Sequence, residues 1–173
     1  MNKLGFISGL LSAILIFLPF IPVGIYFGTE TNPWLGFNYY IQFPISIVRF
    51  ANMEIFLWGF LLDSSINLWF LVNIVSFIFL TIPGLLSVIF SFVGCFKEDE
   101  LGKRFIYFTF FTNLFMILYT LIGFTIYSRE IFGIGFAVSE IFEYLDYGFF
   151  ILILNFIISI IAYITHPVME VNL

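Results

Sequence analysis

The side chains of this chain that can do chemistry are few, and they are spread along the sequence. The amides of Asn113 and Asn155 stand inside long apolar stretches. Arg49 and Glu54 stand in a mostly apolar segment, 45–62. Glu140, Glu143 and Asp146 recur at spacing i, i+3, i+6, and His166 and Cys95 are the single residues of their types. Three carboxylates on one side of a short helix are hard oxygen ligands of the kind that collect Ca²⁺. They equally make a solvated acidic face leading into the apolar stretch after Asp146, and that plainer reading is the expectation. One histidine cannot build the paired-histidine sites of haem or di-iron bundles. One cysteine excludes an intramolecular disulfide, a cysteine zinc cluster and a CxxC redox pair. Neither GxSxG, HExxH nor a P-loop occurs. The sequence therefore predicts no catalytic residue, no metal site and no cofactor, and the protein is expected not to be an enzyme.

The elements that position these residues are read from hydropathy. Hydrophobic residues make up 62% of the chain and charged residues 10%, against about 45–50% and 25% in soluble domains. A single buried core in 173 residues cannot absorb that excess, so lipid must solvate much of it. Stretches 4–27, 68–96, 105–127 and 147–165 contain no charged residue. Each is long enough for a helix to cross a hydrocarbon core of roughly 30 Å. The expected fold is an all-α integral membrane protein, a four-transmembrane-helix bundle, with outer loops 28–67 and 128–146 and an inner loop 97–104. The first stretch is too long for the apolar region of a signal peptide, so an uncleaved first span is expected.

Charge orients the bundle. Lys3 precedes the first span, and Lys97, Lys103 and Arg104 lie in the inner loop, while Arg49 and Arg129 fall on the other side. The positive-inside rule then places both termini in the cytoplasm. The net charge of −5 speaks against nucleic acid, whose partners carry a basic footprint. Membrane lipids, other membrane-protein subunits or a second copy are the expected partners.

Segment 45–62 complicates the count. As a helix it would be roughly 27 Å long and would make a fifth span. Arg49, Asn52 and Glu54 weigh against that, since a charge at mid-bilayer costs about 2.5–3.5 kcal/mol on insertion scales. The expectation is an additional apolar helical segment in the first outer loop. On such a helix Arg49 and Glu54 stand roughly 140° apart and cannot face each other, so each would need a partner elsewhere. They are the charged pair to test if the segment is buried at depth. Residues 131–138 are also apolar, and the two outer loops are expected to pack on each other as a cap or to lie half in the interface. Trp34, Trp58 and Trp69 belong to this side, with Tyr39, Tyr40, Tyr144 and Tyr147, and suit an interfacial aromatic belt.

Helices in lipid associate through small residues that let backbones approach and through polar side chains. Gly5, Gly9 and Ala13 fall on one face of the first span, beside Ser8 and Ser12. Gly84, Ser87, Ser91 and Gly94 form a stripe on the second. Contact between the two spans along these faces is expected. Pro83 removes a backbone donor and predicts a bend in the second span. Asn113 and Asn155 each lie about 12 Å of helical rise from a span end. Both therefore fall near the midplane, where an amide–amide hydrogen bond is worth about 0.6 kcal/mol. Cys95, beside the inner interface, is expected to be a small buried residue rather than a lipidated one.

In layout the chain resembles claudin-type and other four-span proteins: a short inner turn, a long first outer loop, a shorter second one, and both termini inside. The resemblance is one of layout. That family's first outer loop carries a W…GLW…C…C pattern, whereas here Trp34 and Trp58-Gly59-Phe60 stand without an outer cysteine. No functional residue is carried across. The expected function is that of a non-enzymatic accessory or scaffold subunit acting through helix and outer-loop contacts. The alternative is a small channel or carrier for a small or hydrophobic solute, suggested by Pro83 and the two asparagines.

Overall fold

The computed structural model describes residues 1–17, 48–50, 53–55, 77–123 and 140–168. Four α-helices account for most of them: α1 (Lys3–Phe17), α2 (Ile82–Phe96), α3 (Glu100–Leu118) and α4 (Tyr147–Ile164). A π-helical turn, Phe77–Thr81, leads into α2, and a second, Tyr119–Gly123, extends α3. A short 3₁₀ helix, Glu140–Tyr144, precedes α4.

Each helix begins where a side chain or a proline allows it to. The Asn2 Oδ1 accepts the Gly5 N–H at 3.0 Å, and Asp99 Oδ1 accepts the Gly102 N–H at 2.7 Å. Both are N-cap bonds that satisfy a donor left over at a helix start. Asp146 does the same for α4 by accepting from Tyr147 N at 2.8 Å. Pro83 sits in the first turn of α2, where its missing N–H costs least. Where the sequence predicts a bend, a π turn meets an α-helix. The connection between α2 and α3 is also shorter than the charge run suggests. Residues 100–104, expected in the loop, form the first turn of α3, because the Asp99 cap and the acidic Glu100 both favour a helix start there.

Helix α1 packs against α2 and α4, and α3 packs against the other sides of both. The Asn2 N–H donates to the Cys95 carbonyl at 2.8 Å, and the Asn2 Nδ2 to the Ala162 carbonyl at 2.7 Å. A Cβ placed on Gly94 would lie 2.9 Å from the Gly102 carbonyl oxygen. The start of α1, the end of α2, the start of α3 and the end of α4 therefore meet at one end. Successive helices run antiparallel.

The distribution of polarity is the reverse of that in a water-soluble bundle. Ser8, Ser12, Ser87, Ser91, Thr109, Asn113, Thr120, Asn155 and Ser159 are all buried. Ile89, Phe96, Phe108, Ile122, Phe150 and Leu154 are exposed. Water would expel those apolar side chains, whereas lipid leaves small and polar residues to hold helices together. Three helical segments are long and apolar enough to cross a membrane: Ile78–Phe96, Glu100–Gly123 and Tyr147–Ile164. Helix α1 is equally apolar but shorter over its described residues. The remainder of the first stretch, 18–27, lies outside the described residues, as do residues 68–76 and 124–127.

Segment 45–62 corrects the sequence expectation. Its described residues form not a helix but an antiparallel pair of strands, β1 (Val48–Phe50) and β2 (Met53–Ile55), with Arg49 opposite Glu54. Branched and aromatic residues such as Val48, Phe50 and Ile55 favour strands, and Asn52, between the strands in sequence, is a residue type that turns accept. Strand β1 lies against the Glu140–Tyr144 turn, so parts of segments 28–67 and 128–146 meet. Residues 131–138, Trp34, Trp58, Trp69 and Arg129 lie outside the described residues.

Candidate functional site

At the centre, side chains from all four helices close a hydrogen-bonded ring. The Asn155 Nδ2 donates to Ser12 Oγ at 2.7 Å. Ser12 and Ser87 hydroxyls are 2.8 Å apart, and Ser87 Oγ donates to Asn113 Oδ1 at 2.9 Å. Ser87 uses its only proton on Asn113, so Ser12 must donate to Ser87. The ring is completed by Asn155 Nδ2 and Asn113 Oδ1 at 3.4 Å, the longest of the contacts. Outside the ring, Ser8 Oγ donates to Asn155 Oδ1 at 2.6 Å. Every member is at most 2% exposed. With Asn155 donating to Ser12, the Asn113 amide must turn its oxygen to the ring: turned over alone, it would set its NH₂ against that of Asn155. As oriented, the Asn113 Nδ2 has no partner, and neither has Ser91 Oγ.

The two asparagines are thus bonded to each other, but more tightly to serines of the small-residue stripes. Hydropathy ranks a serine in a membrane helix as a minor polar residue, so sequence alone sets Ser8 and Ser12 beside the small-residue face and gives them no hydrogen-bond partner. Their spacing of one helical turn, matched by Ser87 and Ser91, is the signal that identifies them.

Small residues set how closely the helices approach. A Cβ on Gly9 would lie 3.2 Å from the Phe92 ring of α2. One on Gly5 would lie 2.8 Å from Ile106 Cδ1 of α3 and 3.1 Å from Cys95 Cβ of α2. Gly94 faces α3 through Gly102 and Ile106. Gly84 is buried, and Ala13 is half-buried. The stripes on α1 and α2 therefore serve α3 as well as each other. Aromatic rings pack outside them: Phe6 on Phe92 with centroids 5.6 Å apart, Phe110 on Phe156 at 5.4 Å, and Phe79 on Tyr119 at 5.4 Å.

A second polar cluster ties the helix ends. Besides the backbone bond from Asn2 to Cys95 and the side-chain bond to Ala162, the Asn2 Nδ2 lies 3.1 Å from His166 Nδ1. The donor there is the amide, so the His166 Nδ1 is the acceptor and the ring is neutral with its proton on Nε2. His166 is 6% exposed, and its Nε2 has no partner. Burial holds the imidazole below its ordinary titration range. The Lys97 carbonyl works against that shift, the Lys103 charge adds to it, and the Asp99 carbonyl and carboxylate oppose it. Around this cluster the Met1 amino group pairs with Glu98. Lys97 lies 5.9 Å over the Phe105 ring, and Lys103 5.5 Å over Tyr163.

The remaining sequence candidates are dispersed. Arg49 and Glu54 are register partners in the strand pair instead of neighbours offset around a helix. Glu140 and Glu143 lie in the 3₁₀ turn, and Asp146 caps α4. Among the described residues, no group of three or more His, Cys, Asp or Glu side chains is placed to hold a metal ion. The site is a neutral polar interior without a nucleophile–base pair. The chain matches no protein-family model, no curated protein and no solved structure.

Proposed function

We propose that this chain is a four-span membrane protein that works through contacts, as an accessory or scaffold subunit of a larger membrane assembly and not as an enzyme. The observation that carries the reading is the central ring, in which serines and asparagines of all four helices bond to one another. Groups so engaged hold helices in register and leave no reactive centre. The meeting of the α1 start with the α2 end supports a four-span count. A further crossing between them would put those two points on opposite faces of the membrane. Lys3, Lys97, Lys103 and Arg104 collect at that shared end, which by the positive-inside rule is the cytoplasmic one. Partners would dock on the outer loops or on lipid-facing stripes such as Phe108, Phe111, Phe115, Leu118 and Ile122 of the extended α3, which recur with heptad spacing and are exposed.

The test is purification in mild detergent after gentle crosslinking, with mass spectrometry of what accompanies the chain. A defined membrane-protein partner or a crosslinked second copy is expected. Monomeric protein with no partner would sink the proposal. A second reading, a carrier for a small or hydrophobic solute, draws on the two π turns, which are apposed through Phe79 and Tyr119. Such turns recur at functional sites. Solute flux in liposomes that disappears in Asn113→Leu or Asn155→Leu would promote that reading over the first.

A further inference from the structure

The central ring has a second polar layer beneath it. One helical turn from each ring member, toward the end that carries Asn2, stands a hydroxyl: Ser8 on α1, Ser91 on α2, Thr109 on α3 and Ser159 on α4. All four are 0% exposed. Their common level follows from the antiparallel register. Ser87 meets Asn113 and Gly94 meets Ile106, so Ser91 is level with Thr109. Ser12 meets Asn155, so Ser8 is level with Ser159.

Three of these hydroxyls have a use. Ser8 donates to Asn155, Thr109 to the Phe105 carbonyl, and Ser159 to the Phe156 carbonyl. Ser91 has none, and the Asn113 amide directly above has two free N–H groups. Each buried donor left without a partner costs about 1–3 kcal/mol, and in a lipid-embedded interior bulk water cannot relieve it. Ser91 lies about 6 Å of helical rise from Ser87, which is itself bonded to Asn113. One small molecule can therefore reach both groups.

We propose that a single water molecule is bound between Ser91 and Asn113, within this hydroxyl layer, as a fixed part of the helix bundle. It accepts a hydrogen bond from Asn113 Nδ2, exchanges one with Ser91 Oγ, and donates one to the Thr109 Oγ1, whose lone pairs are free while its own O–H donates to the Phe105 carbonyl. That meets the two to four partners a buried water requires. The donors of Asn113 select an oxygen acceptor and disfavour a bare cation. Anything much larger is excluded from below, where a Cβ on Gly5 or Gly94 would already come within 2.9 Å of Ile106.

Ser91→Ala tests the site by the sign of its effect. If the hydroxyl holds water, its removal lowers Tm in mild detergent by on the order of 2–4 °C. If Ser91 is merely an unmatched group, removing it leaves Tm unchanged or raises it, and the proposal fails. A second measurement is independent of stability: the Asn113 side-chain NH₂ protons of the intact protein should show cross-relaxation with water by NMR, and Ser91→Ala should abolish it. Absence of that signal in the unmutated protein would also overturn the proposal.

Discussion

The central ring and the helix-end cluster do the same job with different chemistry. Both tie several helices through one asparagine: Asn155 reaches α1 and α3, and Asn2 joins the ends of α1, α2 and α4. The ring uses only hydroxyls and amides. The end cluster contains a histidine, flanking lysines and carboxylates. The difference follows from depth. A charge at the bilayer centre costs about 2.5–3.5 kcal/mol, so only neutral groups clamp the middle. At the end, water is near enough for a titratable ring to be used. The middle should therefore be strong and insensitive to pH, and the end weaker and sensitive to it.

Asn155→Leu is the severest way to break this contrast. It removes the bonds to Ser8, Ser12 and Asn113 together, each worth about 0.6 kcal/mol in membrane proteins. A loss of about 2 kcal/mol, or roughly 4–8 °C in Tm, is expected in a detergent melt, with the same loss at pH 5.5 and pH 8. A pH-dependent loss would contradict the neutral character of the ring. Asn113→Leu should act in the same direction with about half the magnitude, because it deletes two acceptor contacts but also removes an unmatched amide. Unchanged expression and Tm in that variant would mean that the ring does not hold the helices.

Asn2→Ala should cost about 1 kcal/mol, the usual value of a lost N-cap, and should expose the end of α4. Faster amide exchange at residues 162–166 is the accompanying readout. The pH arm concerns His166. An unfolded histidine titrates near 6.5, and burial holds the folded one lower. As pH falls from 6.5 toward the folded value, the unfolded chain takes up a proton that the folded chain does not, so stability declines across that window and levels off below it. A protonated Nδ1 would also face the Asn2 amide donor-to-donor. Melts of His166→Gln should lack this decline; a slope identical to that of the unmutated protein would assign it to other groups. The smallest effect expected is at the strand pair. Opposed charges in cross-strand register couple by roughly 0.2–1 kcal/mol, and a double-mutant cycle of Arg49→Ala and Glu54→Ala reads that directly. Zero coupling would leave the register without an electrostatic role.

Much of the helical layout was legible in the sequence, and the reason is that its signals are local. A run of apolar residues without charge is a property of neighbours in the chain. Segment 45–62 misled for the same reason. Its length and hydropathy suit a helix, but the alternation around Val48, Phe50 and Ile55 suits a strand, and a short apolar run does not separate the two. Helix α3 starts ahead of the apolar run 105–127, because Glu100, Lys103 and Arg104 sit in a capped first turn although charge favours a loop there.

The sequence by itself determined that this chain has long apolar helices, polar points at Asn113 and Asn155, and basic residues gathered toward one end. Tertiary structure decided what those points do. Ser8 and Asn155 are 147 positions apart, and Ser12 and Ser87 are 75 apart. No local rule pairs them, because a hydrogen bond between helices depends on the rotation and register of both. Antiparallel packing brings a serine or threonine of every helix to one level beneath the ring and leaves Ser91 and the Asn113 amide unmatched there. It also folds Asn2 onto His166, two residues whose local sequence marks neither as anything but an end.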